Sequence, residues 1–135
     1  MKEMLTYLYG LERRGVKVGL DHTEQLLEKI GNPHMCFSSI HVSGTNGKGS
    51  TCSMMASIFR EAKLKIGLYT SPHLLRFNER IRVNGVPISD EDIIRFVKMH
   101  RDSFDDIPVT FFEATTALAF WYFKKSSVDI AVIET

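Results

Sequence analysis

Cysteine is scarce in this chain. Cys36 and Cys52 are the only two in 135 residues, and they form no CxxC pair. That excludes a dense disulfide framework and a thiolate metal cluster, and it leaves two free thiols of the kind expected in a reducing cytoplasm. Excess charge is missing too. Seventeen Lys and Arg face sixteen Asp and Glu, for a net charge of +1, which gives no reason to expect nucleic acid or an anionic membrane as partner. The basic pairs Arg13-Arg14 and Lys124-Lys125 read as solvated faces. No apolar run approaches the ~20 residues of a membrane span, and Met1-Lys2-Glu3-Met4 lacks the apolar core of a signal peptide. Repeats and low-complexity segments are absent. What the chain does have is 44% hydrophobic residues, enough for one soluble domain with a real core.

One stretch organises the rest: His41 to Thr51, H-V-S-G-T-N-G-K-G-S-T. Phe37 to Val42 ahead of it is rich in β-branched and aromatic residues and predicts a strand. Cys52 to Arg60 behind it predicts a helix. Glycines between a strand and a helix let backbone N–H groups converge on an anion. The helix start adds partial positive charge, and Lys48 adds a full one. Ser50 or Thr51 either offers a hydroxyl to a magnesium ion or only caps the helix. The strict GxxxxGK[ST] rule is not met, because Val42 stands where it wants glycine and Gly49 where it wants Ser or Thr.

Along the chain, Leu5, Leu8, Tyr9 and Leu11 lie at helical spacing within residues 1–14, weakened by Gly10 and ended by Gly15. Val16 to Leu20 reads as a linker. A second helix, capped by Asp21 or Thr23, carries Leu26, Leu27 and Ile30 and closes at Gly31-Asn32-Pro33. Lys65 to Thr70 predicts the second strand. Glu79 to Val83, Asn84-Gly85 and Val86 to Ile88 predict a hairpin, with Pro87 placing its second arm at a sheet edge. Ser89-x-x-Asp92 is a capping box for a helix reaching His100 or Arg101, followed by a loop at 104–108. A helix over 114–124 and a buried parallel strand over 128–133 complete the order. The class is therefore α/β: a mostly parallel sheet flanked by helices, with a hairpin excursion.

Three groups of residues could carry chemistry. Ser71, in Thr70-Ser71-Pro72-His73, follows the second strand and could bring a hydroxyl to a metal; His73 is either a phosphate donor or a satisfied polar residue. Thr110-Phe111-Phe112-Glu113 is either core plus a helix-start acid, which spacing favours, or a slot for a flat heteroaromatic ring. Glu134 ends an apolar strand downstream of a phosphate loop, which is where a magnesium-holding acid stands in Walker-type sites. The alternative there is a solvent-facing strand end.

The runs G-T-N-G-K-G-S at 44–50, Y-T-S-P-H-L at 69–74, N-E-R-I-R-V-N-G at 78–85, F-F-E-A-T at 111–115 and V-I-E-T at 132–135 together resemble folylpolyglutamate synthase and dihydrofolate synthase, within the Mur ligase superfamily. The resemblance implies a P-loop-type ATP-binding domain, of which residues 1–135 would be the N-terminal part. It implies an ATP- and magnesium-dependent ligase that joins L-glutamate to dihydropteroate or to a folate. Thr45, Asn46, Gly47, Lys48, Gly49 and Ser50 would then hold the ATP phosphates, with Lys48 and Glu134 catalytic. Ser71 and Glu134 would bind magnesium. Thr110, Phe111, Phe112 and Glu113 would line the pterin pocket, with Lys17 and Val18 near it.

The implied chemistry moves the γ-phosphate of ATP onto a carboxylate, and the glutamate amine then attacks the acyl phosphate. The family pattern continues past Glu134 with a histidine that completes the metal site, a carbamylated lysine and a glutamate-binding domain. The chain alone is therefore expected to hold phosphate weakly and not to ligate. A cytoplasmic, monomeric parent enzyme is the accompanying expectation. A P-loop kinase or ATPase, or a non-catalytic nucleotide-binding piece, would use the same loop.

Overall fold

The computed structural model describes residues 1–11, 21–43, 47–71 and 75–134, with the side chains of residues 21, 22, 48 and 49 outside that description. The described residues divide into two compact units. One comprises residues 1–34 and 90–122, the other residues 35–89 and 123–135.

The first unit is helical. Helix α1 runs Lys2–Gly10, α2 Asp21–Lys29, α4 Asp90–Asp106 and α5 Phe111–Lys125, the last belonging to this unit as far as Tyr122. Both α1 and α2 pack against α4. Leu8, Leu26, Phe96, Val97 and Phe104 are wholly or almost wholly buried. Rings set much of this packing: Phe96 meets Phe104 at 5.7 Å and Trp121 at 5.4 Å between centroids. Helix α4 continues to Asp106, past the loop expected at 104–108. Burial of Phe104 and an ion pair from Lys29 Nζ to Asp106 at 3.1 Å reward the extra turn, which stops short of Pro108. Helix α5 likewise starts at Phe111, three residues before the expected Ala114.

The second unit carries the sheet. Its strands are β1 Ser38–Val42, β2 Ile66–Tyr69, β3 Ile81–Val83, β4 Val86–Pro87 and β5 Ile130–Glu134, and helix α3 spans Lys48–Glu61. The strand order is β1-β5-β2-β3-β4. Strands β1, β5 and β2 are parallel, and β3 and β4 are antiparallel additions. This is the mostly parallel sheet with a hairpin read from the sequence. Asn84 and Gly85 both take positive φ, 50° and 82°, the pairing that a two-residue primed turn demands, and β4 with Pro87 lies at the edge. Glu79 and Arg80, expected in the strand, instead form a 3-10 turn over Phe77–Arg80. The Glu79 carboxylate accepts from the Arg76 N–H at 3.1 Å, a local hydrogen bond that period-2 alternation does not reveal.

Helix α3 packs on β1, β2 and β5. Cys52, Ile66 and Val132 form its buried contact, flanked by Val42, Met55, Phe59 and Leu68. Alternation sends Gly67, Tyr69 and Ala131 to the other face. There Gly67, paired with Ala131, lies against Phe123: a Cβ on it would stand 2.7 Å from the ring. Both cysteines are free, Cys36 exposed and Cys52 buried. Among the described residues no helix is long and apolar enough to cross a membrane.

Candidate functional site

The parallel strands of the second unit end level with one another. Val42 on β1 pairs with Glu134 on β5, and Ile133 beside it pairs with Tyr69 on β2. Open α/β sheets bind ligands beyond the carboxyl ends of their strands, where neighbouring strands lead into different connections. Here β1 leads to α3, β2 leads to Ser71, and β5 stands between them with Glu134 at its tip. With strands about 4.8 Å apart, a ligand of nucleotide-phosphate size reaches all three ends.

The start of α3 is shaped for an anion. Gly47 is its N-cap, in the left-handed region with φ 76° and ψ 6°. That conformation suits glycine and bends the chain directly into the helix. The helix therefore begins at Lys48, four residues earlier than expected, and the Thr51 N–H donates to the Gly47 carbonyl at 3.0 Å. Gly47 has no side chain with which to cap this start, and the first turn holds no acidic residue. A Cβ on Gly47 would meet nothing within 4 Å among the described residues. Ser50 and Thr51 are exposed in the same turn. The start of a 14-residue helix, with its first-turn N–H groups and positive end, fits a phosphate group.

Glu134 is 6% exposed, so it is not a solvent-facing strand end. Among the described residues nothing hydrogen-bonds its carboxylate. Ser71, two residues past β2, is half-buried. The two supply hard oxygen donors, the kind magnesium takes alongside waters and phosphate oxygens. No cluster of three or more His, Cys, Asp and Glu side chains exists among the described residues.

The second locus lies in the helical unit. Thr110 precedes α5, and its hydroxyl accepts from the Glu113 N–H at 3.3 Å while Glu113 Oε1 accepts from the Thr110 N–H at 2.9 Å. This is a reciprocal capping box. The helix-start acid that the spacing favours at Glu113 is therefore present, and the structure adds its reciprocal partner, Thr110. The Thr23 hydroxyl donates to Glu113 Oε2 at 2.9 Å. Thr23, expected as a cap of α2, sits instead in its first turn and serves Glu113. Phe111 and Phe112 differ in exposure. Phe111 is 8% exposed and stacks on Tyr9 at 4.9 Å between centroids, whereas Phe112 is 53% exposed. Thr45, Asn46, His73, Lys17 and Val18 lie outside the described residues, as do the side chains of Lys48 and Gly49.

No protein-family model matches the chain. Curated relatives do. The chain is 41% identical, over 96% of its length, to the dihydrofolate synthase/folylpolyglutamate synthase of Bacillus subtilis. It is 42% identical, over 98% of its length, to a probable bifunctional folylpolyglutamate synthase/dihydropteroate synthase of Haloferax volcanii. Among solved structures it matches folylpolyglutamate synthase from Thermotoga maritima with a TM-score of 0.90 and 42% identity, over 98% of this chain and 32% of that one. It also matches an FPGS–AMPPCP–folate complex with a TM-score of 0.87 and 39% identity, over 98% of this chain and 34% of that one. The chain spans 32% of the Bacillus relative and 16% of the Haloferax one.

Proposed function

We propose that this chain, related over nearly all of its length to a part of the folylpolyglutamate and dihydrofolate synthases, is the phosphate-holding part of an ATP-dependent ligase that joins L-glutamate to a folate or to dihydropteroate. The observation that carries the reading is the carboxyl edge of the sheet. Buried Glu134 stands level with Val42, the end of the strand that leads to α3, whose first turn has no acidic residue.

The residues divide the work as follows. Amides of the first turn of α3 and the Lys48 ammonium hold the phosphates of ATP, with Thr45, Asn46, Gly47, Gly49 and Ser50 forming the rest of the cradle. Ser71 and Glu134 would hold magnesium, which offsets negative charge on the phosphoryl group as it transfers. Because the Glu134 carboxylate is withdrawn from solvent, its charge acts on that edge with little screening. Lys48 opposes the same developing charge from the loop side. Thr110, Phe111, Phe112 and Glu113 line the pterin pocket: Glu113, oriented by Thr110 and Thr23, has a further lone pair on each oxygen for ring N–H donors, and Phe112 offers the exposed aromatic face. Lys17 and Val18 belong to the same proposed pocket.

Most of this catalysis is positioning and charge placement rather than covalent chemistry by the protein. The test uses the whole ligase to which this chain is proposed to belong, and measures ATP consumption in three mixtures: dihydropteroate with glutamate, a reduced folate with glutamate, and neither acceptor. The reading expects consumption to require an acceptor and to yield one amide bond per ATP. Equal turnover without acceptor would replace the ligase by an ATPase or kinase.

A further inference from the structure

The sheet unit has a second concave surface, at the amino-terminal edge of the parallel strands and so at the opposite end from Glu134. It lies where α3 ends, where β2 and β5 begin, and where the hairpin turns. An open pocket of about 260 Å³ there is lined by Arg60, Lys63, Leu64, Lys65, Asn84 and Asp129. We propose that this pocket binds a small ligand carrying two or more oxyanion groups, carboxylates or phosphates, independently of the nucleotide edge.

The argument rests on donors and acceptors. Three of the lining side chains are cations and one is an anion. Among the described residues none of the three cations forms an ion pair. Part of the acceptor capacity in the lining is already engaged: Asp129 Oδ2 takes the Lys65 N–H at 2.7 Å, and Asn84 Oδ1 takes the Ile66 N–H at 2.9 Å. What remains is the Asn84 amide NH₂, two ammonium groups and a guanidinium against the other Asp129 oxygen, a set in which donors outnumber acceptors. Arg60 lies over the hairpin turn, with Nη1 3.3 Å from where a Cβ on Gly85 would stand. The glycine at that position leaves the guanidinium its place.

Lys63 strengthens the case. It occupies the residue after the C-cap of α3 with φ 63°, a left-handed position that glycine fills at least cost. Its N–H donates to the Arg60 carbonyl at 2.9 Å, and the Leu64 N–H to the Phe59 carbonyl at 3.1 Å. These bonds satisfy the last carbonyls of the helix and blunt its negative end. A lysine here is locally unfavourable, and what it adds over glycine is a cation at the mouth of the pocket. The volume falls just below the roughly 300–1,000 Å³ of clefts for drug-sized ligands, so the occupant is small. Paired anionic groups match the spread of Arg60, Lys63 and Lys65, because Arg engages carboxylate or phosphate in a bidentate fork and Lys as a point charge.

Isothermal titration of the chain at low ionic strength tests this with citrate, pyrophosphate and tri-L-glutamate as probes. The expected result is saturable one-site binding of at least one probe, weakened by added salt. Lys63→Gly should lower the affinity by about tenfold, the loss of one charge-assisted contact, while holding or raising the thermal midpoint, because glycine suits φ 63°. Arg60→Gln should weaken binding similarly. With the nucleotide edge disabled by Lys48→Ala, preference for pyrophosphate would identify a phosphate ligand, and preference for citrate or triglutamate a polycarboxylate. Absence of saturable binding by all three probes, or affinity untouched by both substitutions, overturns the proposal. Lys48→Ala separates this site from the nucleotide edge, since citrate binding should survive it; loss of citrate binding in that variant would merge the two sites and overturn the claim of independence.

Discussion

The helical unit and the sheet unit each bury a glutamate, and they treat it oppositely. Glu113 is 7% exposed, and both of its oxygens are taken, one by the Thr110 N–H and one by the Thr23 hydroxyl. Glu134 is 6% exposed at the tip of the central strand, and no described residue hydrogen-bonds its carboxylate. A buried carboxylate normally sits among donors, because leaving it unpaired costs several kcal/mol. Glu113 meets that need inside the fold. Glu134 lies on an edge shared with a helix start and the end of β2, where a bound cation would serve. The contrast separates a carboxylate that first of all builds structure from one whose position is justified by what the edge binds.

The comparison can be broken most severely at Gly67. Its Cβ site overlaps the Phe123 ring at 2.7 Å, so Gly67→Ala should force β2 or α5 to shift. The expected cost is about 3 kcal/mol of stability, read as a fall in thermal midpoint of about 10 °C. Nucleotide affinity should fall with it, because β2 forms part of the carboxyl edge. An unchanged midpoint would mean that Phe123 does not set the sheet's packing.

Glu113→Ala should come next, costing about 2 kcal/mol, because it strands two donors and removes a helix cap. Hydrogen exchange should quicken at the start of α5 and not in the sheet. Glu134→Gln sharpens the opposite side of the contrast. It should hold or raise stability, since the buried charge removed has no described partner, yet weaken magnesium-dependent nucleotide binding by about tenfold, or ~1.4 kcal/mol. If Glu134→Gln destabilises the fold as much as Glu113→Ala does, the two carboxylates have the same role and the distinction fails.

The smallest effect concerns His100, an exception to the closed polar accounting of the helical unit. Its Nε2 is buried without a hydrogen-bond partner among the described residues, and its ring lies 5.0 Å from that of Phe96. Burial lowers its pKa below the ordinary 6.5 by desolvating the charged form. The unfolded chain therefore takes up this proton first as pH falls, so the stability from the neutral ring is present above the ordinary value. It is lost as pH drops from there through the lowered folded value. Chemical denaturation at a series of pH values should show a shallower acid slope in His100→Gln than in the parent; identical slopes would remove His100 from the account.

The parallel sheet, the hairpin and the helix behind the glycine-rich run were legible because each rests on local chemistry. Continuous apolar runs mark buried strands, Asn84-Gly85 marks a primed turn, and the glycines around Lys48 mark the start of a helix. The boundaries were less legible where tertiary contacts decide them. Helix α4 runs on because Phe104 is wanted in the core. Phe77–Arg80 curls because the Glu79 side chain reaches back to the Arg76 amide, a bond that alternation cannot encode. At the candidate site, the level ends of β1, β5 and β2 depend on register, which no residue announces. The division of Phe111 from Phe112 depends on Tyr9, about a hundred positions away. Glu113 as a helix-start acid was legible in the spacing, whereas its bond from Thr23, ninety positions away, was not.

The account rests on the carboxyl edge of the sheet as a polyphosphate site. The direct test follows backbone amides of the ¹⁵N-labelled chain by NMR during titration with AMPPCP and magnesium. The account predicts saturable shifts concentrated at Gly47 to Thr51 and at the ends of β2 and β5, abolished by Lys48→Ala. Shifts absent from that helix start, or equally large in Lys48→Ala, would contradict it.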